Sequence, residues 1–159
     1  MFDSFDLKLL NAMQADADRT AEELAEVIAL SPSAIARRLR RLREVGAIAR
    51  TVALVSPELA SKRLRAMIGI QLHDHAPAAG LADLRDRLQA RHEVQMCLEV
   101  SGPDDMILLI ACADMAEFNL FADAELASNP VVRRYTTSFV KKEIKNQPLL
   151  WLTERDFPG

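Results

Sequence analysis

Apolar residues recur at helical spacing over the first third of the chain. Phe5, Leu9 and Met13 stand four apart and form one stripe of an opening helix. Asp3 is placed to cap it, and Phe2 to pack on Leu7 as a hydrophobic staple. The polar run "ADADRT" ends that pattern, and "TAEE", Thr20 to Glu23, is a capping box that opens a second helix offering Leu24, Val27 and Ile28 to the same core. "LSPS" then breaks the period. Ser31 is an N-cap, and Pro32 suits the first turn because its missing N–H would have no intrahelical partner there. The third helix runs to Gly46. Beyond it, "AIARTVALVSP" alternates with Ile48, Val52 and Leu54 on one side, which predicts a wing strand and linker interrupted at Ser56-Pro57.

A different rhythm follows. The pattern predicts a strand over Arg65 to His73, a helix over Ala79 to Ala90, strands over Val94 to Val100 and Met106 to Cys112, a helix over Met115 to Leu126 and a strand over Val131 to Phe139. That order, βαββαβ, is the ferredoxin-like one, with its first and third strands central, and "MILLIAC" is indeed the most continuously apolar strand. The two helices cover one face of such a sheet through Leu81, Leu84 and Leu88 and through Phe118, Phe121 and Ala122. Nothing in the chain covers the other face, and a second subunit is the simplest cover. The fold class is therefore α+β. A winged helix-turn-helix occupies residues 1–50, the wing strand and linker 51–63, the ferredoxin-like domain 64–140 and a tail 141–159.

Composition narrows the reading. Half of the residues are apolar, enough for an ordinary core, yet no run approaches the roughly 18 apolar residues of a membrane span. The first residues, "MFDSFDLKLL", carry acids where a secretion signal carries lysines, so the expected compartment is the cytoplasm, away from membranes. Cys97 and Cys112 fall on successive strands whose hairpin register sets Cys97 beside Leu109, which predicts two buried thiols and no disulfide. "HDH" puts His73 and His75 on one side of an extended segment without further ligands at suitable spacing, so it reads as a loop-edge pair instead of a metal site. His92 stands alone in the sequence. No phosphate-binding loop, nucleophile motif or dinucleotide fingerprint is present, which argues against an enzyme and against a cofactor. Trp151 is the only tryptophan, expected to pack on the domain or a neighbouring subunit.

Charge supplies the functional signal. The chain has a formal net charge of -3, yet residues 31–50 hold Arg37, Arg38, Arg40, Arg41, Arg43 and Arg50 against the single acid Glu44. At about 100° per residue, Ile35, Leu39 and Leu42 form the apolar stripe of the third helix, with Ser33, Arg37 and Arg40 near the opposite side and Arg41 on a flank. Arg38 and Arg43 border the stripe, where alkyl stems lie along apolar surface and heads reach phosphates. Two short helices joined by a tight turn, the second with a basic face, form the arrangement that places the second helix in the major groove of double-stranded DNA. Arginine suits that role, since its fork pairs with guanine or grips a phosphate and stays charged. The alternatives are a merely solvated face, a basic helix that meets an acidic protein, or a small dimeric enzyme, although the last leaves the first fifty residues unexplained.

The order of parts resembles the Lrp/AsnC, or feast/famine, family of transcription regulators over nearly the whole chain. "FDSFDLKLLNAM" is similar to the family's opening helix, "LSPSAIARRLRRLREVGAI" to its recognition helix and wing, and "VSGPDDMILLI" to the Gly-x-x-Asp turn of its effector domain. The resemblance implies a regulator that dimerises through its effector domains, often assembles to an octamer, acts at the nucleoid, and binds an amino acid or related metabolite between subunits. It implies DNA-facing roles for Ser33, Ala34, Arg37, Arg38 and Arg41, with Arg40 placed for a phosphate. In the effector turn it implies ligand-binding roles for Gly102, Asp104, Asp105 and Met106, with Asp105 near the ligand's amino group. The chain departs from the family at Pro103, where an acid is common, at Met106, where an aromatic is common, and at Ala29, where a glycine is frequent.

Overall fold

The computed structural model describes residues 2–147 and 149–156. The chain forms two compact units, residues 1–54 together with 145–159, and residues 55–144. The first unit therefore takes its material from both ends of the chain.

In the first unit, α1 (Ser4–Ala15), α2 (Ala21–Ala25) and α3 (Pro32–Glu44) begin where their caps place them. Asp3 accepts from the amides of Phe5 and Asp6, and Asp6 closes a capping box by accepting from Asp3 N. Thr20 and Glu23 form the expected box, and Ser31 caps α3 ahead of Pro32. The core gathers Leu9, Leu10, Met13, Leu24, Ile28, Ile35, Leu39 and Leu42. Val27 does not join it and is 64% exposed, because α2 stops at Ala25 and the helical period that would turn Val27 inward has already ended. Gly46, at φ +77°, reverses the chain after α3 in the left-handed region that glycine enters without strain. Ala29 needs no such freedom, since no described non-glycine residue has positive φ. The wing strand is corrected. Residues 47–55 form no strand, and Val52, Leu54 and Val55 are exposed, because alternation yields a ladder only where a partner edge is present.

In the second unit a short helix, α4 (Pro57–Ala60), precedes β1 (Leu64–Leu72), α5 (Ala78–Ala90), β2 (Val94–Glu99), β3 (Met106–Cys112), α6 (Met115–Ala122) and β4 (Val132–Phe139). Where one helix to Leu126 is predicted, a π turn over Asp123–Ala127 continues α6. The sheet is antiparallel in the order β2-β3-β1-β4, so β1 and β3 are central as the ferredoxin-like order requires. Ala66, Ile68, Ile70, Leu108 and Ile110 pack against Leu84 and Leu88 of α5 and Phe118, Phe121 and Ala122 of α6. The opposite face carries Met67, Ile107, Leu109 and Leu98 without cover by a helix among the described residues; Met67 and Leu98 are exposed and Ile107 and Leu109 half-buried.

A register shift between Val94 and Met96 pairs Cys97 with Leu108, not Leu109. Neither cysteine is bonded, but only Cys112 is buried, because Cys97 lies on an edge strand. No helix among the described residues is long and apolar enough to cross a membrane.

Candidate functional site

The basic face of α3 divides into two sets of arginines. Arg38 Nη1 lies 2.8 Å from Asp3 Oδ2 and donates to Asp6 Oδ1 at 2.9 Å, while Arg41 Nη2 reaches Asp6 Oδ2 at 2.5 Å. Asp6 is fully buried, so the two guanidinium groups neutralise a carboxylate that would be costly to bury alone. Phe5 and Phe2 lie under these same groups, with ring centroids 5.7 Å and 5.8 Å from the Arg38 and Arg41 carbons. The Asp6 hydrogen bond, reinforced by Asp3, raises the Arg38 pKa even further above neutrality. Arg37, Arg40 and Arg43 are exposed and have no ion-pair partner among the described residues. Ser33 is exposed beside them, with its hydroxyl 3.1 Å from that of Ser31, and Ala34 is half-buried, its amide taken by the Ser31 cap.

This division answers why the helix concentrates so much positive charge. Two arginines fasten α3 to α1, and the others project from it. Sequence periodicity placed Arg38 at the border of the core but gave no sign of Asp6, whose only local role is in the capping box.

A second feature of this unit escaped sequence reading. Asn11 and Gln14, one turn apart on α1, each form a reciprocal pair of hydrogen bonds with the tail. Asn11 Nδ2 donates to Leu152 O at 2.9 Å and Asn11 Oδ1 accepts from Leu152 N at 3.0 Å, while Gln14 bonds Leu150 O and Leu150 N at 2.8 Å each. Two carboxamides thus act toward the extended tail as the edge of a strand does, satisfying alternate residues on one side. Trp151, between them, is exposed in the single chain and does not pack on its own domain. Leu152 packs on the helical core, and the tail closes one side of a cavity of about 770 Å³ lined by Leu10, Met13, Ile48 and Leu54.

In the second unit, the turn between β2 and β3 holds the other predicted residues. Asp105 continues the β1 to β3 pairing, since its amide donates to Ile70 O at 2.9 Å and its Oδ2 accepts from Leu72 N at 2.8 Å. Asp104 bends back over the uncovered sheet face at Gly69, where a Cβ would meet Asp104 Oδ2 at 2.2 Å. A Cβ there would have to displace the Asp104 carboxylate, and a lone glycine inside a strand pattern is the signal that could have found this approach. Gln71 Nε2 donates to Pro103 O at 3.0 Å and lies 3.4 Å from Asp104 Oδ1, and its Oε1 accepts from Arg133 Nη2 at 2.9 Å. A carboxylate and a guanidinium are therefore held on either side of one carboxamide. Gly102 lies in open space, without positive φ, so the turn itself does not demand glycine there. Met106 is only 2% exposed and belongs to the core between sheet and helices, so its side chain packs away from the turn.

The profile of the AsnC-type helix-turn-helix domain matches residues 2–43, and that of the Lrp/AsnC ligand binding domain matches residues 65–150. An uncharacterised helix-turn-helix-type transcriptional regulator of Sinorhizobium fredii is 33% identical over 147 residues, spanning 90% of this chain and 84% of that protein. The leucine-responsive regulatory protein of Haemophilus influenzae is 32% identical over 150 residues, spanning 94% and 90%. A transcriptional regulator of Neisseria meningitidis, solved in complex with L-methionine, superposes with a TM-score of 0.84 at 33% identity, covering 94% of this chain and 96% of its own.

Proposed function

The chain belongs to the Lrp/AsnC family of transcriptional regulators, with a helix-turn-helix and a ligand-binding domain, and from that premise we propose how its residues divide the work. Helix α3 enters the major groove of duplex DNA, with Ser33, Ala34 and Arg37 toward the bases and Arg40 toward a phosphate. Arg38 and Arg41 hold the helix on Asp6 and border the phosphate backbone. The observation that carries this reading is the pair of sets on α3: arginines anchored to a buried carboxylate beside exposed ones without a partner. Replacing Arg37 with alanine is expected to weaken operator binding by about 1–3 kcal/mol and to relax base preference, measured by titration of specific and random duplexes. An equal loss on both duplexes would reassign Arg37 to the phosphates.

The uncovered sheet face pairs with that of a second copy, and dimers assemble further, as an octamer for example. Two α3 helices then meet half-sites about one DNA turn apart, and each added dimer raises the effective concentration. The effector is an amino acid bound beside the β2 to β3 turn. Asp104 and Asp105 supply carboxylates for its ammonium, and Arg133 a guanidinium for its carboxylate. That the Neisseria meningitidis relative was solved with L-methionine supports this ligand class. A thermal-shift screen of the twenty amino acids is expected to find at least one that raises the melting temperature, and Asp104→Asn is expected to abolish the shift. A full set of null shifts, or a shift that survives in Asp104→Asn, would remove the turn from effector binding. Such a regulator acts in the cytoplasm, at the nucleoid.

A further inference from the structure

His92 is isolated in the sequence but not in the fold. The turn from α5 into β2 and the first turn of α6 meet at one end of the sheet, where ligand atoms of His92, Glu93 and Glu117 all lie within 4.8 Å of one another. In each carboxylate the fold holds one oxygen and leaves the other toward the imidazole. Glu93 Oε1 accepts from Arg91 Nη2 at 2.7 Å, while Glu93 Oε2 lies 3.4 Å from His92 Nδ1. Glu117 Oε2 accepts from the Ala113 amide, while Glu117 Oε1 lies 3.9 Å from His92 Nε2.

Glu93 is the informative member. It is only 3% exposed, its carbonyl is fixed by the Ala111 amide at 2.8 Å, and its Oε2 has no hydrogen-bond partner among the described residues. A buried carboxylate oxygen without a donor is destabilising, and one that faces two further donor atoms is positioned for a cation.

We propose that His92, Glu93 and Glu117 bind a divalent cation of the zinc class. One imidazole and two carboxylates are a donor set for such an ion, whereas calcium calls for six or more oxygens and magnesium for an octahedron built largely of water. The exposed side of His92 leaves a fourth position to solvent. Arg91 and Arg63, the latter 3.8 Å from Glu117 Oε2, sit on the outer oxygens of the two carboxylates. They orient the ligands as outer-shell partners do, and their charge sets the affinity below that of a cysteine-rich structural site. When bound, the ion ties the first turn of α6 to the entry of β2.

The test uses the full-length, metal-stripped protein and Zn²⁺ alone, with calorimetric titration and thermal melting as readouts. The expected result is one ion per chain and a raised melting temperature. His92→Ala, at a side chain 83% exposed and thus free of a folding role, is expected to weaken binding about tenfold or more. Glu117→Gln, which retains an oxygen for the Ala113 amide, is expected to weaken it similarly. Absence of zinc binding in the unaltered protein, or binding unchanged in both variants, would overturn the proposal.

Discussion

Asp6→Asn is expected to destabilise the helical unit by about 2–3 kcal/mol. The replacement keeps the shape and an oxygen for the capping box but removes the charge that Arg38 and Arg41 share. Breaking a fully buried pair from one side costs about 3–5 kcal/mol, and a smaller loss is expected here because the side chains of Arg38 and Arg41 are 25% and 43% exposed and regain some hydration. Urea denaturation followed by far-UV circular dichroism measures the effect. An unchanged midpoint would mean that the cluster contributes nothing to holding α3 on α1. A loss of DNA affinity accompanying the loss of stability is also expected, since α3 is then free to tilt.

The neighbouring acid gives the same cluster a pH dependence. The Asp6 amide, against the effect of burial and with help from Arg38, holds the Asp3 carboxyl below the usual aspartate value. Its folded pKa is thus lower than its unfolded one. The stabilisation it supplies is present above the unfolded value and is lost as the pH falls through the folded one. The helical unit should therefore weaken on the acid side of the aspartate range.

The second large effect is expected on the uncovered sheet face. Leu109 is central there, opposite Met67 on β1 and Met96 on β2. Leu109→Lys should leave the single chain folded, because Leu109 is only half-buried within it. The proposed dimer, by contrast, would have to bury a lysine against apolar residues, a cost of about 3 kcal/mol and so roughly a hundredfold in dissociation constant. Sedimentation analysis distinguishes the outcomes. A mass equal to that of the unaltered protein would exclude this face as the interface. If the mass halves, operator affinity should fall more than any single α3 contact explains, because a lone subunit presents one recognition helix.

Most of the fold was legible in the residues. Caps at Asp3, Thr20 and Ser31 and the stripe Ile35, Leu39 and Leu42 are near-neighbour features, and backbone geometry converts them directly into helices with a defined inner face. The βαββαβ rhythm with one wholly apolar strand led to the observed strand order for the same reason. The misjudged places share a cause. Val27, Val52 and Leu54 carry the right period, but a period buries a residue only where the element persists and a second surface meets it.

The sequence by itself determined that a capped basic helix exists, that its arginines lie off the apolar stripe, and that a half-covered sheet follows. It also carried the family resemblance that the comparisons bear out. Only the tertiary structure decided which guanidinium groups are tethered and which are free. The fold alone brought Asp104 over Gly69, clasped the tail with Asn11 and Gln14, and set His92 between Glu93 and Glu117. Each of these brings together groups far apart along the chain: Gly69 with Asp104, α1 with the tail backbone, and Glu117 with the His92–Glu93 pair. Periodicity and capping act within a turn or two of backbone, whereas such meetings exist only once packing has closed the distance between elements.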